Sequence, residues 1–126
     1  MTQGIAYRFI EALAALEDRG QIDPMLELFS ESSDAEYWTK YRAAYRDIHS
    51  TIYNIITGDH SIALEWTSRG TDHAGKDFQY QGVSILETRG PSIVRFRAYF
   101  DPKHAAEKIP PQSASAPNLT ASASGA

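Results

Sequence analysis

The chain has 126 residues, a formal net charge of −4 and no cysteine. That length serves one domain with one core, and the lack of cysteine excludes disulfides, thiolate catalysis and Cys-based zinc sites. Lys and Arg are scattered, so no phosphate-tracking patch points to nucleic acid, and no apolar run has the length of a membrane span. The N-terminus carries no signal-peptide pattern, and the expected location is the cytoplasm.

Ile5, Phe9, Leu13 and Leu16 fall on one helical stripe. Gly20 stands where such a helix ends. Asp23-Pro24 pairs a helix-capping residue with a proline suited to the first turn, predicting a short helix from Met25 to Phe29. Ser30 to Asp34 is a polar break. A third helix is expected over about 35–47, with Trp38, Tyr41, Tyr45 and Ile48 at 3-4-3 spacing. The periodicity then becomes that of strands. His49 to Ile56 is β-branched and aromatic, and Gly58-Asp59 marks a turn. Ile62, Leu64 and Trp66 alternate with Ala63, Glu65 and Thr67. A turn around Gly75 leads to a strand over 78–87, and Arg89-Gly90-Pro91 turns the chain into a strand over 93–100. Asp101-Pro102 repeats the cap-and-proline signal and predicts a short helix through Lys108. Helices followed by a strand meander indicate an α+β domain on an antiparallel sheet. The domain is expected over residues 1–109. The tail from 110 to 126, PPQSASAPNLTASASGA, has no charge and one large apolar residue; it is expected to be disordered.

A sheet wet on one face would bury Ile62, Leu64 and Trp66 and expose Ala63, Glu65, Thr67 and Arg69. The helices cover one face only, so the other needs a partner, which favours a homodimer through the sheet.

Three stretches carry a family resemblance: Ala63-Leu64-Glu65-Trp66-Thr67 with Gly70, Gly82 to Glu87, and Ile93 to Pro102. In that order they resemble SnoaL-like proteins of the NTF2-like superfamily, the polyketide cyclase, ketosteroid isomerase and limonene-epoxide-hydrolase group. The resemblance implies a cone: N-terminal helices on a curved antiparallel sheet, a pocket on the concave face, and a second subunit on the convex face. Matched strand by strand, it puts Glu65, Thr67, Tyr80, Gly82, Phe96, Ala98 and Phe100 on the pocket side, and Ile62, Leu64 and Trp66 on the dimer side. It also implies what is missing. The epoxide hydrolases carry an Arg and two Asp where this chain has Glu65, Thr67 and Ala98, so water activation and epoxide protonation have no agents here. The segment before Tyr41-Arg42 is shorter than the family's usual strand and loop. The pocket is therefore open, smaller, or completed by another chain.

Glu65 is the leading candidate for an acid–base carboxylate, because a carboxyl in an apolar pocket holds its proton more tightly; the structural alternative is an ion pair with Arg69, Arg95 or Arg97. Asp101 is a weaker candidate and equally a helix cap. Asn54 is either pocket-facing or a strand polar residue. His49, His60, His73 and His104 pair with no carboxylate at ligand spacing, so no metal site and no cofactor are expected. Trp38, Tyr41, Tyr45, Tyr80 and Phe96, with Thr67 and Ala98, would line a cavity for a flat apolar ligand; ordinary core packing is the alternative. Two functions stay open: a cyclase or isomerase using acid–base chemistry on a hydrophobic small molecule, and a non-catalytic module that binds a ligand or protein.

Overall fold

A computed structural model describes residues 2–30 and 34–101; the predicted helix after Asp101, His104 and the Pro/Ala/Ser-rich tail lie outside them. Helix α1, Thr2–Arg19, buries Ile5, Ala6, Phe9, Ala12, Leu13 and Leu16 along one face. It ends at Gly20, whose φ of 68° costs a residue without Cβ little. There the N–H groups of Gly20 and Gln21 donate to the carbonyls of Leu16 and Ala15 at 3.0 and 3.2 Å, satisfying acceptors the helix leaves open.

Helix α2 is a single turn, Asp23–Leu26, shorter than expected, and Ile22 rather than Asp23 takes the cap position, with no side-chain cap bond. The chain beyond it is held by the sheet instead. Ile93 N–H donates to Leu28 O at 2.7 Å and Ser30 N–H donates to Ile93 O at 3.2 Å, so Phe29 sits in a parallel bridge to Ile93. Helix α3, Asp34–Ala43, stops four residues before the expected end at 47. Arg46 N–H is taken by Thr71 O at 2.9 Å, and strand pairing starts at once.

The sheet is an antiparallel meander in the order β1-β2-β3-β4, with β1 Asp47–Thr57, β2 Ser61–Thr71, β3 Asp77–Arg89 and β4 Ser92–Asp101. Register assigns its faces, since directly paired residues share a side. One row joins Ser50, Ser68 and Tyr80; the next joins Ile52, Trp66, Gly82 and Phe100; the next joins Ile55, Leu64, Ser84 and Ala98. These rows face the helices. Bulges at Tyr53 and Val94, each without a strand partner, turn the two outer strands. Gly82 lets two large rings share its row: a Cβ there would lie 2.7 Å from Phe100 Cβ and 2.8 Å from Trp66 Cζ2. Ile62, Leu64, Leu86 and Ile93 are fully buried against Phe9, Leu13, Leu16, Met25, Leu28 and Trp38. Truncating any of these large aliphatic side chains to alanine costs about 2–5 kcal/mol.

Candidate functional site

Toward the α3 end of the concave face the core opens into a cavity of about 270 Å³. Its walls are Phe9 and Leu13 of α1; Tyr37, Trp38 and Tyr41 of α3; Tyr45 from the following connection; and Ile48, Ser50, Ile52, Leu64, Trp66, Ser68, Tyr80, Ser84, Phe96, Ala98 and Phe100 from the sheet. Lys40 is the one charged residue on the lining, and it stands at the rim in an exposed pair with Glu36 at 3.0 Å. The rings form a continuous lattice. Trp38 meets Phe9, Tyr41 and Phe96 at centroid distances of 5.8, 5.6 and 5.1 Å, and Tyr80 meets Phe78 and Phe100 at 5.4 and 5.0 Å. Edge-to-face pairs of this kind hold the walls in one arrangement. Since a dry cavity of about 150 Å³ takes benzene, this one has room for one or two fused rings.

Polar atoms are few. Trp66 Nε1–H donates to Ser84 Oγ at 2.9 Å. The Tyr80 hydroxyl is buried and has no hydrogen-bond partner among the described residues; burial pushes its pKa up, so it is a neutral phenol. The remaining cluster centres on Glu17, which is only 3% exposed. Its Oε1 accepts the Ser50 backbone N–H at 2.7 Å, and its Oε2 accepts Tyr41 Oη at 2.6 Å and Ser50 Oγ at 2.7 Å. Ser50 Oγ also lies 2.5 Å from Ser68 Oγ. Burial raises the Glu17 pKa, and the bonds from Ser50 and Tyr41 pull it partly back. Burial and the neighbouring Glu17 raise the pKa values of Tyr41 and Tyr45 in turn. Glu17 does not itself line the cavity; it reaches the wall through Tyr41 and the Ser50–Ser68 pair.

Trp38, Tyr41, Tyr45, Tyr80, Phe96 and Ala98 all lie on the cavity wall. Glu65 and Thr67 do not, and this corrects their assignment to the pocket side. Their register partners are Val83 and Gln81, so they point to the opposite, convex face, where Glu65 accepts from Asn54 Nδ2 at 2.6 Å. Ile62, Leu64 and Trp66, assigned to the dimer side, face the helices instead. Pairing with Arg69, Arg95 or Arg97 is not the role of Glu65 either: the carboxylate that holds Arg95 and Arg97 is Glu87. Asp101 is the exposed last residue of β4, opposite Gln81 and outside the cavity. Among the described residues no cluster of three or more His, Asp or Glu is placed to hold a metal, and no helix is long and apolar enough to cross a membrane.

Glu17 is the polar residue that sequence reasoning passed over. Its signal was positional. It follows Leu13 by four residues and so continues the buried stripe, and a carboxylate on such a stripe needs buried donors.

No protein-family model matches the chain, and no curated protein matches its sequence. Solved structures do match in shape. An NTF2-like protein from Anabaena variabilis aligns with a TM-score of 0.73 at 15% identity, over 82% of this chain and 91% of that one. AclR from Streptomyces galilaeus aligns at 0.67 and 13% identity, over 81% and 90%. A protein of ketosteroid isomerase-like fold from Catenulispora acidiphila, in complex with trimethylamine, aligns at 0.66 and 16% identity, over 76% and 87%. The chain therefore has the NTF2-like α+β cone fold.

Proposed function

We propose that the protein binds a small, flat, mainly apolar organic molecule in the concave cavity. The observation that carries this reading is the cavity of about 270 Å³ itself, walled almost entirely by aromatic and aliphatic side chains with a few serine hydroxyls among them. Sites for small organic ligands are concave and mostly apolar with a few polar groups that fix orientation, and a flat ligand here would cover the rings while one polar group met Ser50 or Ser68 on the lining. The Catenulispora protein, in complex with trimethylamine, is a case of this fold with a small organic ligand. The test is calorimetric titration of the full chain with 2-naphthylmethanol, a neutral bicyclic probe. Binding is expected, and Ala98→Phe, which puts a ring into the cavity, should abolish it while the circular dichroism of the fold is kept. Equal binding by a folded Ala98→Phe would place the ligand elsewhere.

A second reading, acid–base catalysis of the cyclase or isomerase kind, is favoured by the Glu17–Ser50–Ser68 hydrogen-bond chain, which connects a buried carboxylate to the wall. In that reading Ser68 meets the substrate and Glu17 holds the proton through Ser50, the role first assigned to Glu65. Assay against a panel of enolisable ketones decides it: absence of turnover in a protein that binds the probe leaves a binding module.

We further propose that the convex face packs on a second copy of the chain. Ile56 is 58% exposed and Tyr99 37%, and Val83 and Ile85 lie half-buried between them.

A further inference from the structure

The direction of the hydrogen bonds behind the cavity specifies the chemistry of its ligand. Glu17 Oε2 accepts from two hydroxyls at 2.6 and 2.7 Å, the short range of O–H bonds to an ionised carboxylate. Ser50 has spent its single hydroxyl hydrogen on Glu17, so the 2.5 Å contact between Ser50 and Ser68 is one in which Ser68 donates. With its own hydrogen used, Ser68 Oγ presents only lone pairs to the cavity it lines. The wall at this point is an acceptor, two hydroxyls in front of a buried negative charge.

Among the described residues no cation forms an ion pair or hydrogen bond with that group, and His49 acts on it only through space. Its three donors are two neutral hydroxyls and a backbone amide. The nearby His49 ring is turned to Asp18 at 3.5 Å, and Lys40 is engaged by Glu36 at the rim. Around Ser68 the wall is aromatic: Tyr80 is its direct partner across the β2–β3 pair, Trp66 lies two residues along the same face, and Tyr41 and Tyr45 close the side toward the helices. Aromatic faces attract a desolvated cation, and an acceptor backed by a carboxylate selects a donor. A ligand carboxylate would meet lone pairs and a like charge.

Resting on the reading of the cavity as a ligand site, we infer that its ligand is an organic cation, a flat apolar amine whose ammonium group donates to Ser68 Oγ. The test compares three probes of one shape by calorimetry at pH 7.5: 2-naphthylmethylamine, 2-naphthylmethanol and 2-naphthoic acid. The amine should bind at least about tenfold tighter than the alcohol, and the acid most weakly. Glu17→Gln and Ser68→Ala should each shrink the advantage of the amine over the alcohol to under about threefold; if Glu17→Gln fails to fold, Ser68→Ala decides. Equal binding of amine and alcohol by the unmutated chain, or preference for the acid, overturns the inference and leaves the cavity reading intact. Binding of none of the three overturns the cavity reading itself, and the inference falls with it.

Discussion

Replacing Tyr41 by Phe removes one donor from Glu17 and nothing else of substance. The ring remains, so its edge contacts with Trp38 at 5.6 Å and Tyr45 at 5.9 Å are kept and no cavity opens. What is lost is the 2.6 Å bond to Glu17 Oε2, whose worth depends on the charge of Glu17. A hydrogen bond to a charged group contributes about 1.5–3 kcal/mol and a neutral one about 0.5–1.5 kcal/mol. The native pKa of Glu17 is raised above 4.5 by burial. Its contribution to stability is therefore complete below 4.5 and is lost as pH rises through the native value. The Tyr41 bond limits that loss, because it favours the ionised form. Without it the native pKa climbs further and the decline continues to higher pH. Urea unfolding at pH 4 and pH 8 should show Tyr41→Phe destabilised by about 1 kcal/mol at the lower pH and about 2–3 kcal/mol at the higher. At pH 8 the difference moves the midpoint by roughly 1 M. Glu87 and Asp72 have lowered pKa values from their hydrogen bonds to Arg97 and to the Lys76 amide; their stabilisation is present at neutral pH and fades in acid. They titrate alike in both proteins and cancel in the comparison. A destabilisation equal at the two pH values, or greater at pH 4, would refute the assignment of Glu17 as a buried carboxylate held ionised by its donors.

Three further outcomes follow from the faces of the sheet. Glu65→Gln should leave the affinity for 2-naphthylmethanol within about twofold, since the side chain meets Asn54 on the far side; a larger change would return Glu65 to the site. Ile56→Glu should convert a dimer to a monomer in sedimentation, and an unchanged dimer mass would show that the convex face is not the interface. Gly82→Ala should be destabilised by at least about 1–3 kcal/mol in thermal unfolding, because its Cβ meets the backbone oxygen of Tyr99 as well as the Trp66 ring and Phe100 Cβ; unfolding at the wild-type temperature would mean that the row relaxes freely.

The order of elements was legible because each rests on local chemistry. The α1 stripe, the Gly20 stop and the alternation in β2 are all properties of a few consecutive residues. The end of α3 was not. Tyr45 and Ile48 continue its 3-4-3 spacing, yet both belong to the core around Phe78 and Tyr80, Ile48 from within β1. Tertiary pairing of Arg46 with Thr71 overrode a spacing that fits a helix equally well.

The face of β2 shows how a correct local reading can be lost. Alternation alone buried Ile62, Leu64 and Trp66, and the structure agrees. Matching by family resemblance shifted the strand by one position, and a one-residue shift sends every side chain to the other face. The resemblance groups Glu65 and Thr67 with Tyr80, although antiparallel pairing sets Ser68 opposite Tyr80. The family's polar positions lie on the strands and point to Glu65. The carboxylate behind this cavity comes from α1; its partners Tyr41 and Ser50, and Ser68 bonded in turn to Ser50, lie 24, 33 and 51 residues further along the chain. No local pattern joins them. What a single sequence does show is that Glu17 extends an apolar stripe, and a buried ionisable group there implies donors arriving from elsewhere in the fold. That inference locates the polar end of the cavity without any family at all, and makes Glu17 the residue on which both its binding and its chemistry should be tested first.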